Sequence, residues 1–314
     1  MFDCLSVFGE AIFYRGGRNV RDAFSRRHPA VNLMFFAVSA IFAMMFDHPV
    51  FLGISFSAAL AYAVKLKGKA ALKMFFCALL PLLIFVVIIN TVFASYGVTA
   101  LYTFASGKRI TLESAVCGGV TGALVVTMLL WFACFNEVVT EDKFMYAFGG
   151  RMPNTALMLL MVFRFVPLYK RQLSETLSAR RAAGLAQSSG RAAELKNACA
   201  AVSGVITRAL ENAIETADSM KSRGYGSGRR TSYSRFTFLP ADAVMIIEIL
   251  VLSAVIAAGK LSGFAEASYN PIIEIGGFSA MLAVSAAAYA IFCFFPIIYD
   301  FAEDIRWNRL YAKT

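Results

Sequence analysis

Arg223 stands directly before Gly224 in the run Ser219-Met220-Lys221-Ser222-Arg223-Gly224-Tyr225-Gly226. A guanidinium released at a helix end can bond a carboxylate through two parallel hydrogen bonds. Groups for covalent or acid-base chemistry are scarcer. His28 and His48 are the two histidines, each followed by a proline, and two histidines cannot build a histidine-rich metal path. Cys4, Cys77, Cys117, Cys134, Cys199 and Cys293 are scattered without a CxxC pair, a pattern that predicts buried reduced thiols rather than a disulfide scaffold or a zinc site. No GxxxxGK[ST] loop is present to grip phosphates, and Gly224, Gly226 and Gly228 follow a helical stretch rather than open one, so they read as a cap and turn. HExxH, GxSxG and paired intramembrane carboxylates are missing as well. The chain reads as a non-enzyme that needs no cofactor and hydrolyses no ATP by itself.

The elements that must position Arg223 belong to a membrane protein. Apolar residues make up 59% of the 314, with 29 phenylalanines, and charged residues only 16%, against roughly 45–50% and about 25% in ordinary globular chains. Such a surplus faces lipid. Runs long enough for about 30 Å of hydrocarbon lie at Ala30 to Phe46, Pro49 to Val64, Leu72 to Ser95, Ala115 to Phe135, Ala241 to Gly259 and Ile272 to Tyr299. The second is short and calls for Lys65 to snorkel. Asn90 falls inside the third and Glu248 inside the fifth; the expected arrangement for Glu248 is a hydrogen bond to a hydroxyl on a neighbouring helix. A seventh run, Met152 to Leu168, carries Arg164 and has Arg151, Lys170 and Arg171 at its flanks.

The net charge of +10 maps onto loops rather than onto a nucleic-acid-binding face. Arg15, Arg18, Arg21, Arg26 and Arg27 precede the first run and place the N-terminus in the cytoplasm by the positive-inside rule. Asp47 and His48 fall outside. Lys65, Lys67, Lys69 and Lys73 fall inside, and Tyr96 to Glu113, with only Lys108 and Arg109, outside. From Lys170 to Arg235 twelve basic residues face five acidic ones, so this segment is also cytoplasmic. With both flanks inside, Met152 to Leu168 should lie at the interface or against the bundle without crossing, and Arg164 should tie it to a carboxylate or to headgroups. Six spans and two cytoplasmic termini follow. Met1 to Glu10 lacks a basic start and a cleavage site, so no removable signal is expected.

The basic segment reads as two helices, Leu168 to Ala186 and Ala193 to Arg223, rich in Ala, Leu, Glu, Lys and Arg. Pro167 should stand just before the first. Gly184 and Gly224 supply the stops. In the second, Val202, Val205, Ile206, Ala209, Ala213, Ala217 and Met220 form one narrow apolar stripe at three- and four-residue spacing.

The Ser222-Arg223-Gly224 stop of a long helix resembles the second coupling motif of the transmembrane T component of energy-coupling factor (ECF) transporters. The resemblance extends from His28-Pro29 through Arg164-Phe165-Val166-Pro167 to the Arg-Thr-x-Tyr stretch at Arg230 to Tyr233, covering about residues 28 to 260. It implies an all-α polytopic bundle of about six spans in a prokaryotic plasma membrane, with a cytoplasmic helical coupling insert. The chain then divides into four membrane spans over 28–135, coupling helices over 136–240, and C-terminal spans with a tail over 241–314. Two ABC-type ATPases would grip the helix ends, and a small membrane S component would bind a vitamin or transition-metal ion. The matching positions are Ser222, Arg223 and Gly224 at the second helix end and Ala183 and Gly184 at the first. That first end reads Arg180-Arg181-Ala182-Ala183-Gly184, with Ala183 where the family carries arginine. At 100° per residue Arg180 returns to within roughly 60° of Ala183, whereas Arg181 lies about 160° away, so Arg180 is the candidate substitute contact.

Two other readings compete. A lipid-associated scaffold would use its basic insert on anionic headgroups, each Lys or Arg contributing about 1 kcal/mol, but here the basic residues are spread along helices and Arg223 marks a glycine stop. An integral membrane enzyme would need convergent acid, base or metal groups, which two histidines and isolated carboxylates do not provide.

Overall fold

The computed structural model describes residues 22–93, 99–103, 109–149, 152–185, 190–228, 236–262, 267–269, 274–275 and 280–311. Arg15, Arg18, Arg21, Cys4, Met1 to Glu10, Lys108, Arg151, Arg230 to Tyr233 and Lys313 therefore lie outside the described residues. Two compact units emerge, one of Met1–Thr140 with Phe236–Thr314 and one of Glu141–Arg235. The protein is a helical membrane bundle with further helices.

In the first unit the helices are α1 (Pro29–Met45), α2 (Pro49–Lys67), α3 (Lys69–Phe93, with a π-helical turn at Phe75–Leu79) and α4 (Leu112–Val138). After the second unit's α5 (Glu141–Gly149), α6 (Pro153–Ala182) and α7 (Arg191–Ser222), the first unit resumes with α8 (Pro240–Leu261) and α9 (Ala280–Tyr311). Five helices, α2, α3, α4, α8 and α9, are long and apolar enough to cross a membrane, and α1 is a shorter apolar helix. Two short antiparallel pairs join helices: Ala100–Thr103 with Arg109–Thr111, and Ala267–Ser268 with Glu274–Ile275. The last apolar run thus does not begin as helix at Ile272; residues 274–275 pair as strand, and α9 starts at Ala280.

Each His-Pro pair opens a helix. The Nδ1 atoms of His28 and His48 accept the backbone N–H of Ala30 at 3.2 Å and of Val50 at 3.4 Å, while the proline occupies the first turn, where its missing N–H costs nothing. Behind these caps sits an aromatic core. Phe35 packs against Phe292 at 5.2 Å and edge-on to Trp131 at 5.8 Å, and Phe46 stacks on Phe51 at 4.5 Å. Such pairs contribute about 0.5–1.5 kcal/mol each beyond the area they bury. Trp131 donates its indole N–H to Ser55 Oγ at 3.0 Å, which ties α4 to α2 without leaving the buried donor unpaired. The α3–α4 contact is set by glycine: a Cβ on Gly118 would stand 3.0 Å from Asn90 Cβ and 3.2 Å from the Val87 carbonyl oxygen. Asn90 therefore lines a close helix crossing.

A polar layer closes one end of this bundle. Tyr62 donates to Asp22 Oδ2 at 2.6 Å, the Ala23 N–H to Asp300 Oδ1 at 2.8 Å, and Lys65 pairs with Asp300. Arg27 donates to Tyr299, reaches Glu303 at 3.4 Å and stands 4.0 Å from Asp242, whose other oxygen accepts the Leu239 N–H at the start of α8. Lys65 does not need to snorkel to headgroups, since α2 runs on to Lys67 and Asp300 is its partner. Burial pushes the Asp22 carboxyl up to about 6, with the neighbouring Asp300 adding to the rise and the Tyr62 hydrogen bond opposing it.

Candidate functional site

Both long helices of the second unit end in the same hydrogen-bonded turn. At the end of α6 the Leu185 N–H bonds to the Arg180 carbonyl at 3.1 Å and the Gly184 N–H to the Arg181 carbonyl at 3.1 Å, with Gly184 at φ +74°. At the end of α7 the Tyr225 N–H bonds to Met220 at 3.0 Å and the Gly224 N–H to Lys221 at 3.0 Å, with Gly224 at φ +82°. This is the Schellman arrangement, in which a left-handed residue reverses the chain and satisfies the last carbonyls. Only glycine takes that φ without a Cβ clash, so sequence and backbone agree on Gly184 and Gly224. Ser222 donates its hydroxyl back to the Ser219 carbonyl at 2.9 Å. Beyond Gly224, Ser227 donates both its N–H and its hydroxyl to the Gly224 carbonyl, at 3.1 and 2.7 Å, folding the chain away from the helix end.

The shared register aligns the two ends residue by residue. Ala183 and Arg223 are the caps, Ala182 matches Ser222, Arg181 matches Lys221, and Arg180 matches Met220. Arg223, Ala183 and Arg181 are all exposed. Arg180 differs. It is half-buried, in line with Leu173, Thr176 and Leu177 on the covered side of α6, and its Nε is enclosed without a hydrogen-bond partner. The rotation that brings Arg180 near the face of Ala183 also lays its stem on that covered side.

Two expectations about these helices need correction. Met152 to Leu168 is not a separate run, because α6 continues from Pro153 to Ala182 with Pro167 inside it. Proline forfeits one backbone bond, to residue 163; Phe163 and Val166 are exposed there, so that cost does not fall in a packed core. The apolar stripe on α7 is split as well. Ala201, Val205, Ala209 and Met220 are covered together with Asn212 and Thr216, whereas Val202, Ile206, Ala213 and Ala217 are exposed. Arg164 forms no ion pair among the described residues and is exposed.

Glu248 departs from expectation too. It is exposed on α8 and makes no hydrogen bond or ion pair among the described residues. The polar layer around Asp22, Lys65 and Asp300 was not foreseen; its one sequence signal was the short second run ending in Lys65. Among the described residues no group of three His, Cys, Asp or Glu is placed to hold a metal ion.

Residues 21–234, more than two thirds of the chain, match the family model described as CbiQ, cobalt transport protein. A comparison with curated proteins gives no match. The matched segment begins beside Asp22, takes in four apolar helices and both glycine-closed helix ends, and stops just past Arg223. With a helical membrane bundle and the paired helix stops both in place, the chain belongs to the cobalt transport protein (CbiQ) family, the family of ECF-transporter T components.

Proposed function

We propose that this chain is the energy-coupling subunit of an ECF-type importer. The family makes it a membrane transport component that works with ATPase and substrate-binding partners; the reading here assigns the coupling step to the ends of α6 and α7. Two cytoplasmic ABC-type ATPases grip those ends, and their movement passes through the second unit to a small membrane protein that holds a vitamin or transition-metal ion. Both termini and the second unit lie on the cytoplasmic side.

The observation that carries this reading is the repetition of one glycine-closed turn at the ends of two 30- and 32-residue helices. Each turn is rigid, because its carbonyls are satisfied within the chain, and each holds arginine or lysine in its last turn. Such an end can enter a groove on a partner and bond its carboxylates. The sequence offers no phosphate-gripping loop of its own, so the energy has to come from another chain.

Affinity capture of the tagged full chain from its native membrane, followed by mass spectrometry, tests the reading. Two ATPase subunits and one small membrane protein should be recovered in fixed proportion, and the last of these also gives the substrate class. A chain recovered alone, or with ATPase in no fixed ratio, would overturn the assignment.

A further inference from the structure

The turn between α1 and α2 closes the end of the bundle remote from the polar layer, since α2 starts there and carries Lys65 at its far end. His48 lies in this turn and is only 3% exposed. Asp47 beside it is exposed, and its carbonyl accepts the Tyr269 hydroxyl at 2.9 Å. Phe51 of α2 meets the His48 ring edge-on at 6.0 Å.

Hydrogen bonding fixes the state of that ring. Nδ1 accepts the Val50 N–H at 3.4 Å, so it carries no proton, and the neutral ring keeps its proton on Nε2. Nε2 is buried and has no hydrogen-bond partner among the described residues. A second proton would have to enter at Nδ1, where it turns the acceptor into a donor facing the Val50 N–H. Charging the ring therefore costs the cap of α2. Burial adds its own penalty and pushes the His48 imidazole below its ordinary 6.5.

The groups around this corner give the cation no relief. Asp47 is exposed and makes no hydrogen bond to the ring among the described residues. Lys260 of α8 lies 5.6 Å over Phe46 and has the wrong sign. Tyr269 with Cys117 of α4, and Tyr289 of α9 against Phe51, complete the set, and tyrosine and cysteine carry no charge in acid. His28 caps α1 through the same Nδ1 contact but is only half-buried.

We propose that His48 is an acid-sensitive latch, whose protonation releases the first turn of α2 and opens the α1–α2 turn together with the Tyr269 tie upon it. On the orientation proposed above, with both termini cytoplasmic, the latch answers to acid in the external medium; this last step rests on that reading. The open turn binds the proton at the ordinary 6.5, and the closed turn binds it only at lower pH. The closed form is thus fully stable above 6.5 and loses stability as the pH falls below it. From pH 7.5 to pH 5 the open fraction should rise about thirtyfold.

Hydrogen exchange of the Val50 amide, in the full chain held in nanodiscs, measures that fraction once the intrinsic pH dependence of exchange is divided out. Wild type should show the whole rise. His48→Asn, whose side-chain oxygen can accept the same N–H without titrating, should change by less than about twofold, and His28→Asn should follow wild type. With two histidines in the chain, His28→Asn also leaves a single imidazole for nitrogen NMR, which should show a ring still neutral at pH 5.5 with its proton on Nε2. That measurement keeps the native His48, so it decides even where His48→Asn does not fold. In sealed right-side-out vesicles, exchange over residues 46–52 should rise with acid outside and not with acid inside.

An equal acid-driven rise in His48→Asn overturns the latch and assigns the opening to other groups. A His48 ring that titrates near 6.5 while Val50 stays protected overturns it as well. A rise with acid inside alone overturns the external sensing and the orientation behind it, and leaves the latch itself standing.

Discussion

The bundle and the long helices of the second unit handle charge in opposite ways. In the bundle, Asp22, Lys65, Arg27, Asp242 and Asp300 are drawn together from α2, α8, α9 and the segment before α1, and Asp242 and Asp300 are almost wholly buried. Along α6 and α7 the ion pair formed among described residues is Arg171 with Glu175, one helical turn apart and exposed, and pairs of that kind contribute about 0.3–0.5 kcal/mol. Hydrophobic burial divides the same way. A continuous aromatic core fills the bundle, whereas Met145 and Ala201 are the buried apolar residues described in the second unit. The bundle's charges hold the bundle together. Those of α6 and α7 do little for their own fold.

Substitutions that break this contrast should separate association from stability. The largest effect is expected at Arg223: Arg223→Glu places a like charge where a partner offers carboxylates, costing several kcal/mol of ATPase binding. Its exposed position should leave bundle unfolding within about 0.5 kcal/mol of wild type. Titration of the purified ATPases onto immobilised variant and wild type measures the first, and a thermal melt the second. Lys65→Met is the converse. It strands the buried Asp300 and should lower bundle stability by about 3 kcal/mol with ATPase affinity retained; an unchanged melt would mean that the polar layer is not structural.

A smaller, pH-dependent effect is expected at Asp22. Its folded carboxyl holds its proton up to about 6, above the ordinary 3.8. The folded state therefore binds this proton more firmly than the unfolded chain, so its contribution is full below about pH 4 and is lost as the pH rises through 6. The stability difference between wild type and Asp22→Asn should drift against wild type across that window and level off above it. A difference that is flat from pH 4 to 7 would place the carboxyl's titration elsewhere.

The smallest effects sharpen the comparison of the two helix ends. Arg180→Ala should weaken coupling by about 1 kcal/mol, and Ala183→Arg in the same chain should restore it, because residue 183 holds the cap position that Arg223 holds on α7. Arg181→Ala should change binding by less than about 0.5 kcal/mol. Equal, small losses at Arg180 and Arg181 with no rescue by Ala183→Arg would mean that the first end docks through backbone and apolar contacts. Uptake assays on the three variants decide between these outcomes.

The spans and helix stops were legible in the sequence because each depends on local chemistry. About twenty apolar residues are needed to cross hydrocarbon, and a left-handed cap needs glycine, so α4, α8, Gly184 and Gly224 could be read from their own neighbourhoods. The polar layer could not. Ala23 and Asp300 are separated by 277 positions, and no periodicity links them. Pro167 misled because its cost depends on whether residue 163 is packed, which only the fold decides. The stripe on α7 misled for a related reason: helical spacing identifies an apolar side but not which edge of it a neighbour covers, and Asn212 and Thr216 are covered where Ala213 and Ala217 were expected to be. The exposure of Glu248 was likewise out of reach, since a carboxylate in a span reads the same whether a neighbouring helix meets it or not.

Coupling itself is tested most directly in proteoliposomes holding the full assembly, by recording ATP hydrolysis and uptake together in wild type and Arg223→Glu. Radioactive cobalt(II) is the first uptake probe, followed by the substrate class of the co-purified membrane subunit. The account predicts that wild type links the two activities, whereas the variant abolishes uptake while the ATPase subunits still hydrolyse ATP. Uptake by Arg223→Glu at the wild-type rate, for each hydrolysed ATP, would contradict it.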